Sequence, residues 1–333
     1  MTFATANPTA VPPSTPLPGS TWTRDTLTES DWLLAIPPAC IDELEQAVAQ
    51  LRTQARPVHE TATDGLALAH CAAFMATVRE RLSHGAMFSV LDRLPVDRWS
   101  REDLTQAYWL LASLLARPVQ QTWSGTMLFD VRDVGLGKRM TPGSGIRATV
   151  TNLDLNFHND NCFNTVMPDY VGLLCARAAK SGGVSKTVSF QSVHEHLRAH
   201  HPQLLARLYQ PVWWDRHKEF GPDEPAFVAN PVFDAEAGHA RARFSIYNIR
   251  GGYRIREEAP DAELDAALEA VLQTLADPAM QWQFTMEPGQ IQFVNNRTIG
   301  HARTEFVDHD DPEERRHLVR LWLRDWGSVG YAG

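Results

Sequence analysis

The residues best suited to chemistry are His158 and Asp160, in the run Phe157-His158-Asn159-Asp160. Side chains two apart on an extended segment share a face, so an imidazole and a carboxylate would meet there. With a third histidine from a distant strand they would form a two-His-one-carboxylate triad. That donor set suits ferrous iron and leaves three adjacent coordination positions open. Alone the triplet is a weak signal. A chain with 13 His produces His-x-Asp by chance, and a second copy, His309-Asp310-Asp311, sits among Asp, Glu, Arg and Pro in what reads as a solvated loop. The only histidine after that copy is His317, too close to serve as a distant ligand.

The C-terminal third supplies what the first triplet lacks. The run Gln292-Phe293-Val294-Asn295-Asn296-Arg297-Thr298-Ile299-Gly300-His301 leaves a strand for a turn, and Arg303 follows. Then comes Arg315-Arg316-His317-Leu318-Val319-Arg320-Leu321-Trp322-Leu323. A histidine with an arginine on the next strand has a physical rationale. A dicarboxylate that chelates iron at one end needs a fixed cation at the other, and arginine matches a carboxylate bidentately.

Together with Lys180-Ser181-Gly182-Gly183-Val184-Ser185, these runs resemble the TauD/TfdA family of iron(II)- and 2-oxoglutarate-dependent dioxygenases. The likeness extends over about residues 120 to 325, with weaker stretches at Leu173 to Arg177 and Leu204 to Arg216. It implies that His158, Asp160 and His301 hold Fe(II). It implies that Ser185, where the family commonly has threonine, and Arg316 hold the distal carboxylate of 2-oxoglutarate. Dioxygen would be the oxidant and an unactivated C–H of a small molecule the target, hydroxylated as 2-oxoglutarate becomes succinate and CO2. Arg316, Leu318 and Arg320 fall on one face of a strand and Arg315 on the other, which favours Arg316. The loop Val307 to Glu314 is longer than in the shortest members.

Arg320 stands where taurine-type members meet an anionic substrate group. It could equally pair with an internal carboxylate. Trp123, Met127 and Phe129 alternate on an expected strand, either as core or, for Trp123 and Phe129, as the apolar wall of a substrate pocket. Two rival functions stay in view. A facial-triad iron oxidase without 2-oxoglutarate is opposed by Ser185 and Arg316, and a catalytically silent binding barrel is opposed by the intact triad. Other polar clusters read more plainly. His196 and His200, beside His194 and His201, look like a solvated helix face. Cys162 looks like a small barrel residue. Asn295 and Asn296 would bond turn backbone near His301. Gly135, Gly137, Gly143 and Gly145 lack the helix and Lys-Ser/Thr of a phosphate loop; a lid over residues 132–146 with Lys138 and Arg139 exposed fits better.

The elements that must position these groups follow from pattern. Residues 1–20 carry Pro8, Pro12, Pro13, Pro16 and Pro18 and read as an extended or disordered arm. Helical stripes cover Ile41 to Ala55 and Asp64 to Ser83, and a capping box at Ser100 opens a helix to Leu115. A short strand is expected at Met87 to Leu91. After Pro118, strands are expected at Thr126 to Val131, Ala148 to Leu153, Tyr170 to Ala178, Lys186 to Phe190, Arg243 to Tyr247, Met280 to Met286, Ile291 to Asn295 and His317 to Trp322. Helices interrupt them at Ser192 to Leu208 and Pro260 to Ala276. Short strands in no βαβ order favour a barrel or sandwich over a nucleotide-binding fold, and the resemblance implies that it is a jelly-roll, a double-stranded β-helix in a mixed α+β chain.

Ligands at 158, 160 and 301 with contacts at 185 and 316 must converge on one pocket. The 333 residues are therefore expected to form one domain from 21 to 333, a helical layer to about 118 and a jelly-roll core over about 119–325. The net charge of −9 argues against wrapping a phosphate backbone. No run is long and apolar enough for a membrane span, and no secretory leader is evident. The four cysteines have no CxxC pair and read as reduced thiols, which points to the cytoplasm. Homo-oligomerisation stays open.

Overall fold

The computed structural model describes residues 11–54, 56–136 and 146–332. Two sheets carry the architecture. The larger has seven strands. Its path runs Leu33–Ala35, Phe88–Asp92, Ile291–Asn295, Tyr170–Arg177, His317–Arg324 and Arg117–Val119, and Phe129–Val131 also pairs with His317–Arg324. Only the first two strands run parallel; the other ladders of this sheet are antiparallel. The smaller sheet has four antiparallel strands in the order Gln281–Phe284, Ser185–Ser189, Ile299–Arg303 and Leu155–His158. This is the jelly-roll plan, with helices on both sides.

Alternation along His317–Arg324 shows how the layers form. Val319, Leu321 and Leu323 join the core under the N-terminal helices Pro38–Arg52, Ala69–His84 and Arg101–Leu115. Leu318, Arg320 and Trp322 face the other way, between the sheets. The strands Leu33–Ala35 and Phe88–Asp92 come from the N-terminal stretch, so that stretch supplies an edge of the large sheet as well as a helical cover. The capping box is present: Ser100 Oγ accepts the Asp103 N–H at 3.2 Å, and the Asp103 carboxylate accepts the Ser100 N–H at 3.1 Å.

Close approach of the layers requires a small residue at Gly172. A Cβ there would lie 2.8 Å from Phe293 Cε1 and would also meet the Tyr108 hydroxyl. Gly172→Ala is therefore expected to destabilise the protein by about 1–3 kcal/mol through overpacking. A denaturant titration that finds no loss would contradict this.

Several expected elements differ. The strand at Ala148 to Leu153 is instead a 3-10 turn, Ala148–Val150. The strand at Arg243 to Tyr247 gives way to the helix Ile246–Ile255, because Ser245 caps it by accepting the Asn248 N–H. Phe244 and Ile246 alternate like a strand locally, but the cap decides. The single helix Ser192 to Leu208 is two, Phe190–His200 and Pro202–Leu208, broken where Pro202 removes a donor. Residues 11–20 run along the body, with the Thr15 N–H on the Gly238 carbonyl at 2.9 Å and Ser20 buried. The expected lid falls largely on 137–145, Lys138 and Arg139 included, outside the described residues. No described helix is long and apolar enough to cross a membrane.

Candidate active site

Register brings the triad together. His158 ends Leu155–His158, and His301 at the centre of Ile299–Arg303 pairs directly with it across the sheet. Asp160 sits in the turn just beyond. Nε2 of His158 lies 3.3 Å and Nε2 of His301 3.8 Å from Asp160 Oδ1. One donor atom from each of the three residues lies within 4.8 Å of the others, the geometry a single metal ion could share.

The turn is bolted from behind. Asn159, between the two ligands, donates through Nδ2 to the carbonyls of Asn296 at 2.8 Å and Ile299 at 2.9 Å. Asn296 Oδ1 accepts the Asp160 N–H at 2.8 Å, and its Nδ2 donates to the Asp160 carbonyl at 2.9 Å. Asn296 thus bonds turn backbone, but the turn is the one carrying Asp160. Asn295 Oδ1 accepts the Arg297 N–H of the turn before His301 at 3.0 Å, and its Nδ2 donates to the Leu82 carbonyl.

Each ligand is prepared electronically. His158 Nδ1 lies 2.9 Å from the Asn156 carbonyl, so this nitrogen carries the proton and leaves the Nε2 lone pair for a metal. Burial, with His158 alongside, pushes His301 down to about 3, so that ring is neutral. Burial opposes the Asp160 charge, but Arg320, the His158 contact and His301 outweigh it and hold the carboxyl well below the usual carboxylate range. Arg320 Nη1 is 3.2 Å from Asp160 Oδ2, and the Trp322 indole N–H donates to the same oxygen at 2.6 Å. A neutral imidazole, as at His301, and an ionised carboxylate, as at Asp160, are forms that ligate metal.

Of the two readings of Arg320, the internal carboxylate is realised. Its Nε donates to Gln121 Oε1 at 2.8 Å, and its guanidinium lies between the Phe129 and Trp322 rings at 4.8 and 4.9 Å. Phe129 therefore holds Arg320 and lines neither chamber described below. Trp123 is on a turn, 49% exposed, edge-on to Tyr331, and also lines neither. The expected strand alternation fails there because the strand begins only at Phe129. Cys162 is a fully buried, unbridged thiol within a core cluster.

The triad stands between two chambers. The inner one, about 40 Å³, is walled by Ser185, Arg303, Arg316, Arg320 and Gln292. Arg316 is buried there, whereas Arg315 is exposed on the surface. Nη1 of Arg316, Nη1 of Arg303, Nη2 of Arg320 and Nε2 of Gln292 are all buried without an acceptor. Unpaired buried donors are costly, and four in one small cavity match the oxygens of a dicarboxylate. Arg303 and Arg316 stack on the Phe306 ring at 4.7 and 5.0 Å. Burial, then the neighbouring Arg316, brings Arg303 down to about 9. The outer chamber, about 160 Å³, opens from His158 and Asp160 past Arg147, Asn161, His217 and Tyr247.

Residues that the motifs did not single out are Asn159, Gln121, Trp322, Arg303, Gln292, Arg147 and His217. Trp322 and Arg303 were within reach, two residues beyond Arg320 and His301 on the same strand faces. Asn159 and Gln292 lie inside the ligand runs themselves, whereas Gln121, Arg147 and His217 come from distant segments and carry no local signal.

The comparisons agree with this geometry. FR-33289 synthase of Streptomyces rubellomurinus is 26% identical over 309 residues, 91% of this chain and 88% of that one. The crystal structure of asparagine oxygenase with Fe(II), 3-hydroxyasparagine and succinate superposes with a TM-score of 0.68 at 22% identity, covering 88% of this chain and 94% of that one. The non-heme iron oxygenase OrfP with Fe and alpha-ketoglutaric acid gives 0.63 at 15% identity over the same shares. Residues 54–322 match the family described as taurine catabolism dioxygenase TauD, TfdA family. The chain belongs to that family and is a non-haem iron, 2-oxoglutarate-dependent dioxygenase.

Proposed function

We propose that this dioxygenase hydroxylates an unactivated C–H of a small anionic substrate, with His158, Asp160 and His301 holding Fe(II), and Ser185 and Arg316 holding the distal carboxylate of 2-oxoglutarate. The observation that carries this reading is the pair of chambers meeting at the triad, the inner one lined by unpaired guanidinium donors. When bound, iron supplies the oxidation of a C–H bond coupled to conversion of 2-oxoglutarate and O2 to succinate and CO2.

The chain's own residues do the positioning. Asn156 fixes the His158 tautomer, and Arg320 and Trp322 keep Asp160 ionised and oriented. Ser185, paired with Arg303 across the sheet, sets one wall of the inner chamber. Relatives support a small polar substrate: OrfP was solved with L-Arg and asparagine oxygenase with hydroxyasparagine.

Anaerobic addition of Fe(II) and 2-oxoglutarate is expected to produce a weak visible charge-transfer band. The band should vanish in His158→Ala/Asp160→Ala; a band that survives there would sink the ligand assignment. Ser185→Ala should raise the KM for 2-oxoglutarate about 10-fold or more, the worth of a hydrogen bond to a charged group, with Ser185→Thr close to the parent.

A further inference from the structure

Resting on the reading above, we infer that Arg147, with Asn161 and His217, forms the site for an oxyanion head group of the primary substrate in the outer chamber. Four charged residues other than the histidines line this chamber: Arg147, Asp154, Asp160 and Arg320. Arg320 is tied to Asp160 through Nη1, and its free Nη2 belongs with the donors of the inner chamber. Asp154 accepts the Glu305 N–H at 2.7 Å. Arg147 is the remaining cation among the described residues, and its partner Glu219 does not line the chamber.

Two neutral groups strengthen the site. Asn161, 5% exposed, keeps its Nδ2 buried without an acceptor, while its Oδ1 takes the Tyr331 hydroxyl at 2.9 Å. His217 Nε2 is likewise buried and unpartnered. Burial, then the nearby Arg147, brings His217 down to about 4, so it is a neutral ring able to donate one N–H. A guanidinium, an amide N–H and an imidazole N–H lining one chamber have donors to spare and call for an acceptor-rich, negatively charged group: a carboxylate or a phosphonate. Glu219 then acts as the resident counterion. Its carboxylate holds Arg147 and takes the Trp123 N–H at 2.7 Å, and an incoming oxyanion competes with it.

The test uses protein loaded anaerobically with Fe(II) and 2-oxoglutarate, so that the inner chamber is filled. Calorimetry compares butyrate and propylphosphonate with butyramide. Either anion should bind at least about 10-fold more tightly than the amide, and the tighter of the two identifies the head group. Arg147→Met should erase that preference. Glu219→Gln, which keeps an acceptor for Trp123 but removes the competing charge, should tighten anion binding several-fold. A purely structural Arg147–Glu219 pair predicts weaker binding in Glu219→Gln as well as in Arg147→Met, so Glu219→Gln separates the two readings. No anion preference in the parent, or an equal preference in Arg147→Met, overturns the assignment. The charge-transfer band is read on the same samples. A band without Arg147-dependent anion binding sinks only this inference, whereas anion binding without a band sinks the co-substrate reading.

Discussion

Asp160→Ala is expected to abolish substrate-dependent succinate formation and to destabilise the metal-free protein. Two effects act together. The variant loses the one anionic donor of the triad. Removing even an outer partner of a metal ligand typically costs about 10- to 100-fold in affinity or activity, so loss of the ligand should exceed about 100-fold. It also strands a cation. Arg320 is 4% exposed, with Nη1 on Asp160 and Nη2 already without an acceptor, and Trp322 Nε1 loses its acceptor too. Breaking a buried ion pair from one side costs about 3–5 kcal/mol. Succinate quantitation and thermal unfolding of the metal-free protein measure the two effects separately. Full stability in Asp160→Ala would mean that Arg320 finds another partner and that the pair is not the anchor described here.

Arg316→Leu separates binding from stability in the other direction. Without 2-oxoglutarate, Arg316 and Arg303 are like charges stacked on one phenylalanine, each with a buried nitrogen lacking an acceptor. Burial lowers the Arg316 guanidinium from its ordinary value, which reports the strain of keeping it charged. Replacing it with an apolar side chain should leave the unliganded protein as stable as before, or more so. The dicarboxylate, by contrast, loses a buried charge-assisted contact, worth about 2–5 kcal/mol when one partner is truncated. The KM for 2-oxoglutarate should rise roughly 30- to 5,000-fold. Steady-state kinetics against 2-oxoglutarate, beside a denaturant titration without it, check both halves. An unchanged KM would move the carboxylate contact to Arg303.

The difference between these variants shows where sequence reading reaches its limit. His158, Asp160 and His301 were legible because metal ligation demands particular side chains, and because two of them sit on one extended segment. Arg316 was preferred over Arg315 from alternation alone, and the chamber contains Arg316. The fate of Arg320 was undecidable from pattern. Whether it meets a substrate or a carboxylate depends on how far Asp160 reaches across the sheets, and that distance is set by the turn Asn159 and Asn296 hold. Trp123 misled for the opposite reason. Local alternation suggested a strand, but strand pairing with His317–Arg324 begins at Phe129, leaving Trp123 exposed. At Ser245, a helix cap overrode an apparently extended run.

The helical stripes and the β-rich texture after Pro118, enough for a barrel or sandwich, follow from local periodicity, which needs no partner to be read; the jelly-roll followed from the family's motifs. The ligand triplet, the glycine pair before Ser185 and the late arginines likewise stand in the sequence, because their chemistry restricts residue type. The pairing of Arg320 with Asp160, the like-charged couple of Arg303 and Arg316, and the gathering of Arg147, Asn161 and His217 around one chamber do not. Those depend on strand register and on loops brought together from segments far apart in the chain, where neither spacing nor composition carries a signal. The net charge of −9 gave no hint of a cationic interior. Burial concentrates a few guanidinium groups around the site while the carboxylates stay largely at the surface, a partition that only packing produces.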